Sequence, residues 1–225
     1  MELIREPGAS FFYAKTERRN EMRVLSLIYL KGGVAKTLSS VNMAYILAAV
    51  HKKVLLIDND KQGNASKILN RHSYDRPGVA EILTGRDMDM KEIIQHTDYE
   101  GLDIVTANMN LISASLAVML EQKRPQQTRF KKAFGQAGDG YDFCIIDNAP
   151  DINISTINAL GEYPLLETYI RRTGKMKPST FAREPILLYS SRCGASRDYK
   201  ALAEEYLKMC PGWTQQGGEK GGETK

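Results

Sequence analysis

The sequence predicts an α/β fold, a mostly parallel sheet flanked by helices. Three observations support this. Short apolar runs alternate with helical patterns along the chain. Several of those runs end in acidic or glycine-rich residues. The 225 residues are 42% hydrophobic, which suffices for one core of useful size. In such a sheet ligands sit at the carboxyl ends of the strands, so these polar strand ends should meet on one edge.

The first clear strand covers residues 23–30 (RVLSLIYL), and a loop leads from it into a helix over 37–50 (TLSSVNMAYILAAV). A second apolar run, 54–57, ends in Asp58-Asn59-Asp60. A third covers 102–107, and a fourth, 141–146, ends in Asp147. Helical patterns occupy 78–83 and 111–122, and a final helix is expected over 200–209. Both ends read as unstructured. Residues 1–21 form an N-terminal extension ahead of Met22, itself a possible start codon. Residues 22–210 form the domain, and 211–225 (PGWTQQGGEKGGETK) a flexible tail.

Composition excludes several classes. No apolar run reaches the roughly 18 residues that span a bilayer, and residues 1–21 lack a signal peptide's apolar stretch. Cys144, Cys193 and Cys210 form no CxxC pair, and Cys144 sits in an apolar strand pattern as a small core residue. His51, His72 and His96 are scattered without metal-ligand spacing. The expectation is a cytoplasmic protein with no membrane partner. Net charge is only +4, but residues 170–200 hold eight basic side chains (Arg171, Arg172, Lys175, Lys177, Arg183, Arg192, Arg197 and Lys200) against Glu184 and Asp198. That patch suits an anionic partner such as nucleic acid or phosphate; a solvated basic surface is the alternative.

The loop Lys31-Gly32-Gly33-Val34-Ala35-Lys36-Thr37 lies between a strand and a helix, where a phosphate-binding loop belongs. Glycines allow the backbone to approach phosphate oxygens, and the helix N-terminus presents N–H groups to them. Lys36 would reach the β- and γ-phosphates, and the Thr37 hydroxyl would ligate Mg²⁺. The standard G-x-x-x-x-G-K-[ST] pattern is not met: Leu30 and Ala35 stand at its two glycine positions.

A second lysine, Lys31, opens the loop, and with it the chain resembles the deviant Walker A ATPases of the ParA/MinD superfamily, closest to the ParA/Soj partition branch. Two further segments are similar to that family. One is Asp58-Asn59-Asp60-Lys61-Gln62-Gly63-Asn64, with Lys61 in place of proline. The other is Tyr141 to Pro150 (YDFCIIDNAP), followed by Thr156-Ile157-Asn158-Ala159-Leu160. The resemblance implies a P-loop NTPase fold with ATP and Mg²⁺ as cofactors. It gives Lys31 a reach across a dimer interface to the partner's nucleotide. It makes Lys36 a phosphate ligand and Asp60 the residue that positions the attacking water. Asp147 would hold Mg²⁺ through a water. Gly32, Gly33, Val34, Ala35, Lys36, Thr37 and Leu38 would line the phosphates, although Leu38 replaces a hydroxyl residue common there. The alternative for single residues is purely structural: Asp58 as organiser of the strand end and Asn64 as a helix cap.

The resemblance resumes at Gly161 in segments that in the family lie well downstream. About two strand–helix units, roughly 60 residues, are missing between Leu160 and Gly161. A deletion relative to the family explains this best; an omitted segment or a fold closed around a smaller sheet are the alternatives. Losing buried parallel strands should leave a neighbouring strand edge open.

By resemblance the chain is an ATP-dependent partition ATPase. It would form a homodimer on ATP, bind DNA non-specifically through Arg172 and Lys175, associate with the nucleoid, and hydrolyse ATP when stimulated by a ParB-like centromere-binding protein. The alternative is a truncated, hydrolysis-deficient nucleotide- or DNA-binding remnant. The membrane-directed branch fits poorly, since residues 211–225 are glycine-rich and polar rather than an amphipathic helix.

Overall fold

The computed structural model describes residues 11–15, 22–28, 35–85, 89–121, 129–137, 140–150, 155–156, 168, 170–171 and 173–209. These build one six-stranded sheet covered on both faces. The strands are β1 (Phe11–Lys15), β2 (Arg23–Ile28), β3 (Val54–Asn59), β4 (Ile94–His96), β5 (Leu102–Val105) and β6 (Phe143–Asn148). Their order is β1-β2-β6-β3-β5-β4. The four central strands run parallel, and the two outer ones, β1 and β4, pair antiparallel to their neighbours.

The helices are α1 (Lys36–Ala49), α2 (Asn64–Ile68), α3 (Val79–Thr84), α4 (Met90–Ile93), α5 (Asn110–Leu120), α6 (Arg129–Ala137), α7 (Met176–Ala182), α8 (Ile186–Tyr189) and α9 (Gly194–Lys208). β3 and β6 are buried along their whole length, as their continuous apolar runs imply. Alternation along each strand sorts side chains between two cores. Leu25, Leu27, Val54, Leu56, Phe143 and Ile145 face α1, α2 and α9. Leu55, Ile57, Val105, Cys144 and Ile146 face α3, α4, α5 and α6. The chain beyond residue 170 is joined to α1 by polar as well as apolar contacts. The hydroxyls of Ser39 and Tyr199 lie 2.9 Å apart, and Ile186 N donates to Asn42 Oδ1 at 2.6 Å.

Three expectations need correction. The N-terminal extension is not wholly unstructured: β1 pairs with β2 from Phe11↔Ile28 to Lys15↔Val24. The edge of β2 away from β6 is therefore paired rather than open. The final helix starts at Gly194, ahead of residue 200, because the segment there packs on α1 through Ala195 and Tyr199. Asn64 does not cap α2: Gly63 takes the cap position in the left-handed conformation (φ 61°) and Asn64 is the first helical residue. Among the described residues no strand follows β6, and the Leu160–Gly161 junction lies outside them, as do residues 211–225. Among the described residues no helix is long and apolar enough to cross a membrane.

Candidate nucleotide site at the carboxyl edge of the sheet

Parallel register carries two acidic strand ends to one place. Asp58 on β3 is the registered partner of Asp147 on β6, and both strands end one residue later. Asp58 and Asp147 share the α1 side of the sheet, and Asp60 follows in the loop after β3. All three are buried, at 0%, 0% and 5% exposure.

The N-terminus of α1 meets Asp147 there. Lys36 Nζ lies 3.5 Å from Asp147 Oδ1, and Ser40 Oγ, one turn on, donates to the same oxygen at 3.0 Å. Asp147 Oδ2 is buried with no hydrogen-bond partner among the described residues. A buried carboxylate oxygen in that state is expected to find a partner. An ion-bound water beside Thr37 would supply one, so this donor set fits a Mg²⁺ held mainly by nucleotide and water oxygens. Among the described residues no group of three or more His, Cys, Asp and Glu could hold a metal ion.

Burial, then the charge of Asp147, pushes the Asp58 carboxyl up to about 7 from its ordinary 3.8, against the lowering effect of its bonds to Ser66. Burial also raises Asp147, and the Lys36 charge with the Thr37 and Ser40 hydroxyls opposes that rise. The pocket is thus a site where negative charge is crowded and a cation is favoured.

Asp58 organises the strand end. Its Oδ2 accepts from Ser66 N at 2.8 Å and from Ser66 Oγ at 2.6 Å, and its Oδ1 accepts from Asp60 N at 3.3 Å. Asp60 Oδ1 in turn accepts from Gln62 N at 3.0 Å. The turn continues through Gly63, where a Cβ would stand 2.5 Å from His72 Cδ2 and 2.7 Å from Ala107 O. Only glycine fits that approach.

Of the residues singled out in the sequence, Lys36, Thr37, Asp60 and Asp147 come together here. Ala35 is the left-handed residue before α1. Leu38 is buried in the core on the α1 side, so its backbone N–H, one of the helix's free donors, is what it offers a ligand. Lys31, Gly32, Gly33 and Val34 lie outside the described residues, as does Arg172. Lys175 does not join the group; it is exposed just before α7. The basic patch around it is partly spent internally. Arg171 makes a bidentate pair with Asp198, with Nε–Oδ2 at 2.8 Å and Nη2–Oδ1 at 2.8 Å, and Arg183 donates to Asn70.

Sequence reasoning missed Ser40, Ser66 and a set of buried amides on the other side of the sheet. Ser40 lies one helical turn after Lys36, a spacing that could have marked it. The amides could have been noticed as polar residues closing two otherwise apolar strands.

A family profile described as an AAA domain matches residues 22–163. The sporulation initiation inhibitor protein Soj of Bacillus subtilis is 36% identical over 61% of this chain and 54% of its own length. The chromosome partitioning protein ParA of Caulobacter vibrioides is 32% identical over 63% of this chain and 53% of its own. The chain thus spans about half the length of the curated relatives it matches. Among solved structures, the septum site-determining protein MinD of Pyrococcus horikoshii, complexed with Mg-ADP, shares the fold. Its TM-score is 0.66 at 17% identity, over 83% of this chain and 96% of that one. On the profile and these relatives, the chain belongs to this AAA-domain family, within the ParA/MinD superfamily alongside ParA and Soj.

Proposed function

We propose that this protein is a partition-type ATPase that binds Mg²⁺–ATP between the 31–38 loop and Asp147. The observation that supports it best is the meeting of Lys36, Ser40, Asp58, Asp60 and Asp147 at one strand edge, with one Asp147 oxygen unpartnered. Lys36 neutralises charge on the transferred phosphoryl group, and Asp60 orients the attacking water. Bound Mg²⁺ would supply further charge neutralisation, with Thr37 and Asp147 as its protein contacts. Lys31 reaches the nucleotide of a second copy, so the active form is an ATP-dependent homodimer. Basic side chains, Arg172 and the exposed Lys175 first, bind DNA phosphates without sequence preference, so affinity falls steeply with salt. A ParB-like centromere-binding protein stimulates turnover, and the protein is cytoplasmic and nucleoid-associated.

ATP turnover with and without DNA tests this reading. Lys36→Ala should abolish nucleotide binding. Asp60→Ala should retain binding and lose turnover by about a hundredfold or more. Equal turnover in wild type and Asp60→Ala rejects the catalytic assignment. A second reading is a nucleotide- or DNA-binding remnant without hydrolysis, as the family segments missing between Leu160 and Gly161 would suggest. It requires Mg²⁺–ATP binding with no turnover under any condition.

A further inference from the structure

The sheet face opposite α1 carries a second polar cluster at the same edge. Asn59, Asn148, Ser26 and Ser155 are each 0% exposed. Asn59 and Asn148 are registered partners and the last residues of β3 and β6. Asn59 Nδ2 donates to Asn148 Oδ1 at 2.8 Å. Asn148 Nδ2 donates to Ser26 Oγ at 2.9 Å and to Leu27 O at 3.0 Å. Ser155 Oγ donates to Asn59 Oδ1, and Ala149 N donates to Asn59 O at 3.2 Å. The side-chain bonds run in one direction across the three adjacent strands β3, β6 and β2.

Packing does not require this arrangement. The same face is filled just before it by Ile57 and Ile146, side by side on the same two strands. Burying two primary amides among such residues is costly unless their bonds are made, and an apolar pair would meet the packing need without that cost. What the amides add is directional attachment. Asn59 lies between Asp58 and Asp60, and Asn148 follows Asp147. Fixing the two amides to each other fixes, from behind, the backbones that aim the carboxylates. The same amide holds Ser155, in the stretch that follows β6.

We propose that Asn59 and Asn148 form a positioning clamp. It sets Asp60 against Asp147 for the hydrolytic step and ties the Ser155 stretch to the end of β3. Its first half rests on the ATPase reading above. Its second half does not.

The test compares wild type with Asn59→Leu/Asn148→Leu, which removes both amides together so that neither is left facing an apolar partner, although Ser26, Leu27 O and Ser155 each lose a bond, and with Ser155→Ala. The double variant should bind a non-hydrolysable Mg²⁺–ATP analogue within about threefold of wild type while kcat falls about tenfold or more, as loss of aim rather than of binding. Hydrogen exchange in peptides covering residues 149–156 should quicken in both variants. Wild-type kcat in a folded double variant overturns the positioning role. Unchanged exchange over 149–156 in both variants overturns the tether. If wild type binds nucleotide without turnover, the ATPase reading fails and takes the positioning role with it; the tether is then decided by exchange alone. If the double variant does not fold, kcat of Asn148→Leu relative to its analogue affinity replaces it: a fall in kcat at retained affinity supports the clamp, and unchanged kcat overturns it.

Discussion

Ala35 stands one residue before α1 with φ 59° and ψ 24°, in the left-handed region. A residue with a Cβ is disfavoured there by about 1 kcal/mol. The usual phosphate-loop pattern has glycine at this position. The departure seen in the sequence thus has a physical meaning: the chain keeps the backbone geometry and bears the strain. Ala35→Gly should raise stability by up to about 1 kcal/mol, the gain being trimmed by the greater freedom of glycine in the unfolded chain. Thermal melting of the two proteins side by side checks it, and a lower Tm for the glycine variant would mean that Ala35 makes a compensating contact. At this scale Lys36 and Thr37 were legible because strand–loop–helix order marks a phosphate loop, and Asp147 was legible through the family motif that it closes. The partnership of Asn59 and Asn148 was not legible, because it exists only once the register of β3 on β6 is known.

The element that changes most between sequence and structure is β1. FFYAK has no clean alternation and sits among charged residues, so no local pattern marks it as a strand. Its pairing is decided by β2, whose outer edge would otherwise present free N–H and C=O groups. β4 escaped for a similar reason: three residues at a sheet edge carry too little periodicity to read. The apolar runs of β2, β3, β5 and β6 were legible because burial on both faces demands them. Removing residues 1–21, so that the chain starts at Met22, should therefore be harmful rather than neutral. We expect Tm to drop by roughly 4–8 °C, the equivalent of about 2 kcal/mol for a domain of this size. Exchange along residues 23–28 should quicken, and the shortened chain should self-associate on gel filtration. A truncated protein that melts with the full chain and stays monodisperse would show that β1 is dispensable.

For the molecule as a whole, the crowded carboxylates set a pH dependence. The folded state holds Asp58 protonated to about pH 7, whereas the unfolded chain releases that proton near 3.8. The folded state therefore binds more protons between those values, and stability falls as pH rises through the window. Below it the contribution is fully present; above pH 7 it is gone. In nucleotide-free protein the urea midpoint should fall from pH 5 to pH 8, by a few kcal/mol at most in free energy. Asp58→Asn, which cannot ionise, should flatten that slope. A wild-type midpoint that is level or rising over the window would contradict the assigned burial of this charge. None of this was readable in the sequence. It depends on carboxylates from two distant segments, Asp58 and Asp60 at the end of β3 and Asp147 on β6, sharing one buried edge, with the bonds from Ser66 and Ser40 opposing the rise.

The antiparallel strand at the start of the chain has one more consequence, for the order in which the protein can assemble. β1 meets β2 across a short connection, Lys15 against Val24, whereas β2 meets β6 only when residue 23 finds residue 143. Local pairings close quickly and distant ones slowly. During synthesis the strand that leads into the phosphate loop can thus be half-sheltered as soon as residues 11–28 have emerged, long before β6 leaves the ribosome. The hairpin acts as a chaperone built into the chain, holding one side of β2 out of reach of other nascent chains while the other side waits for its partner.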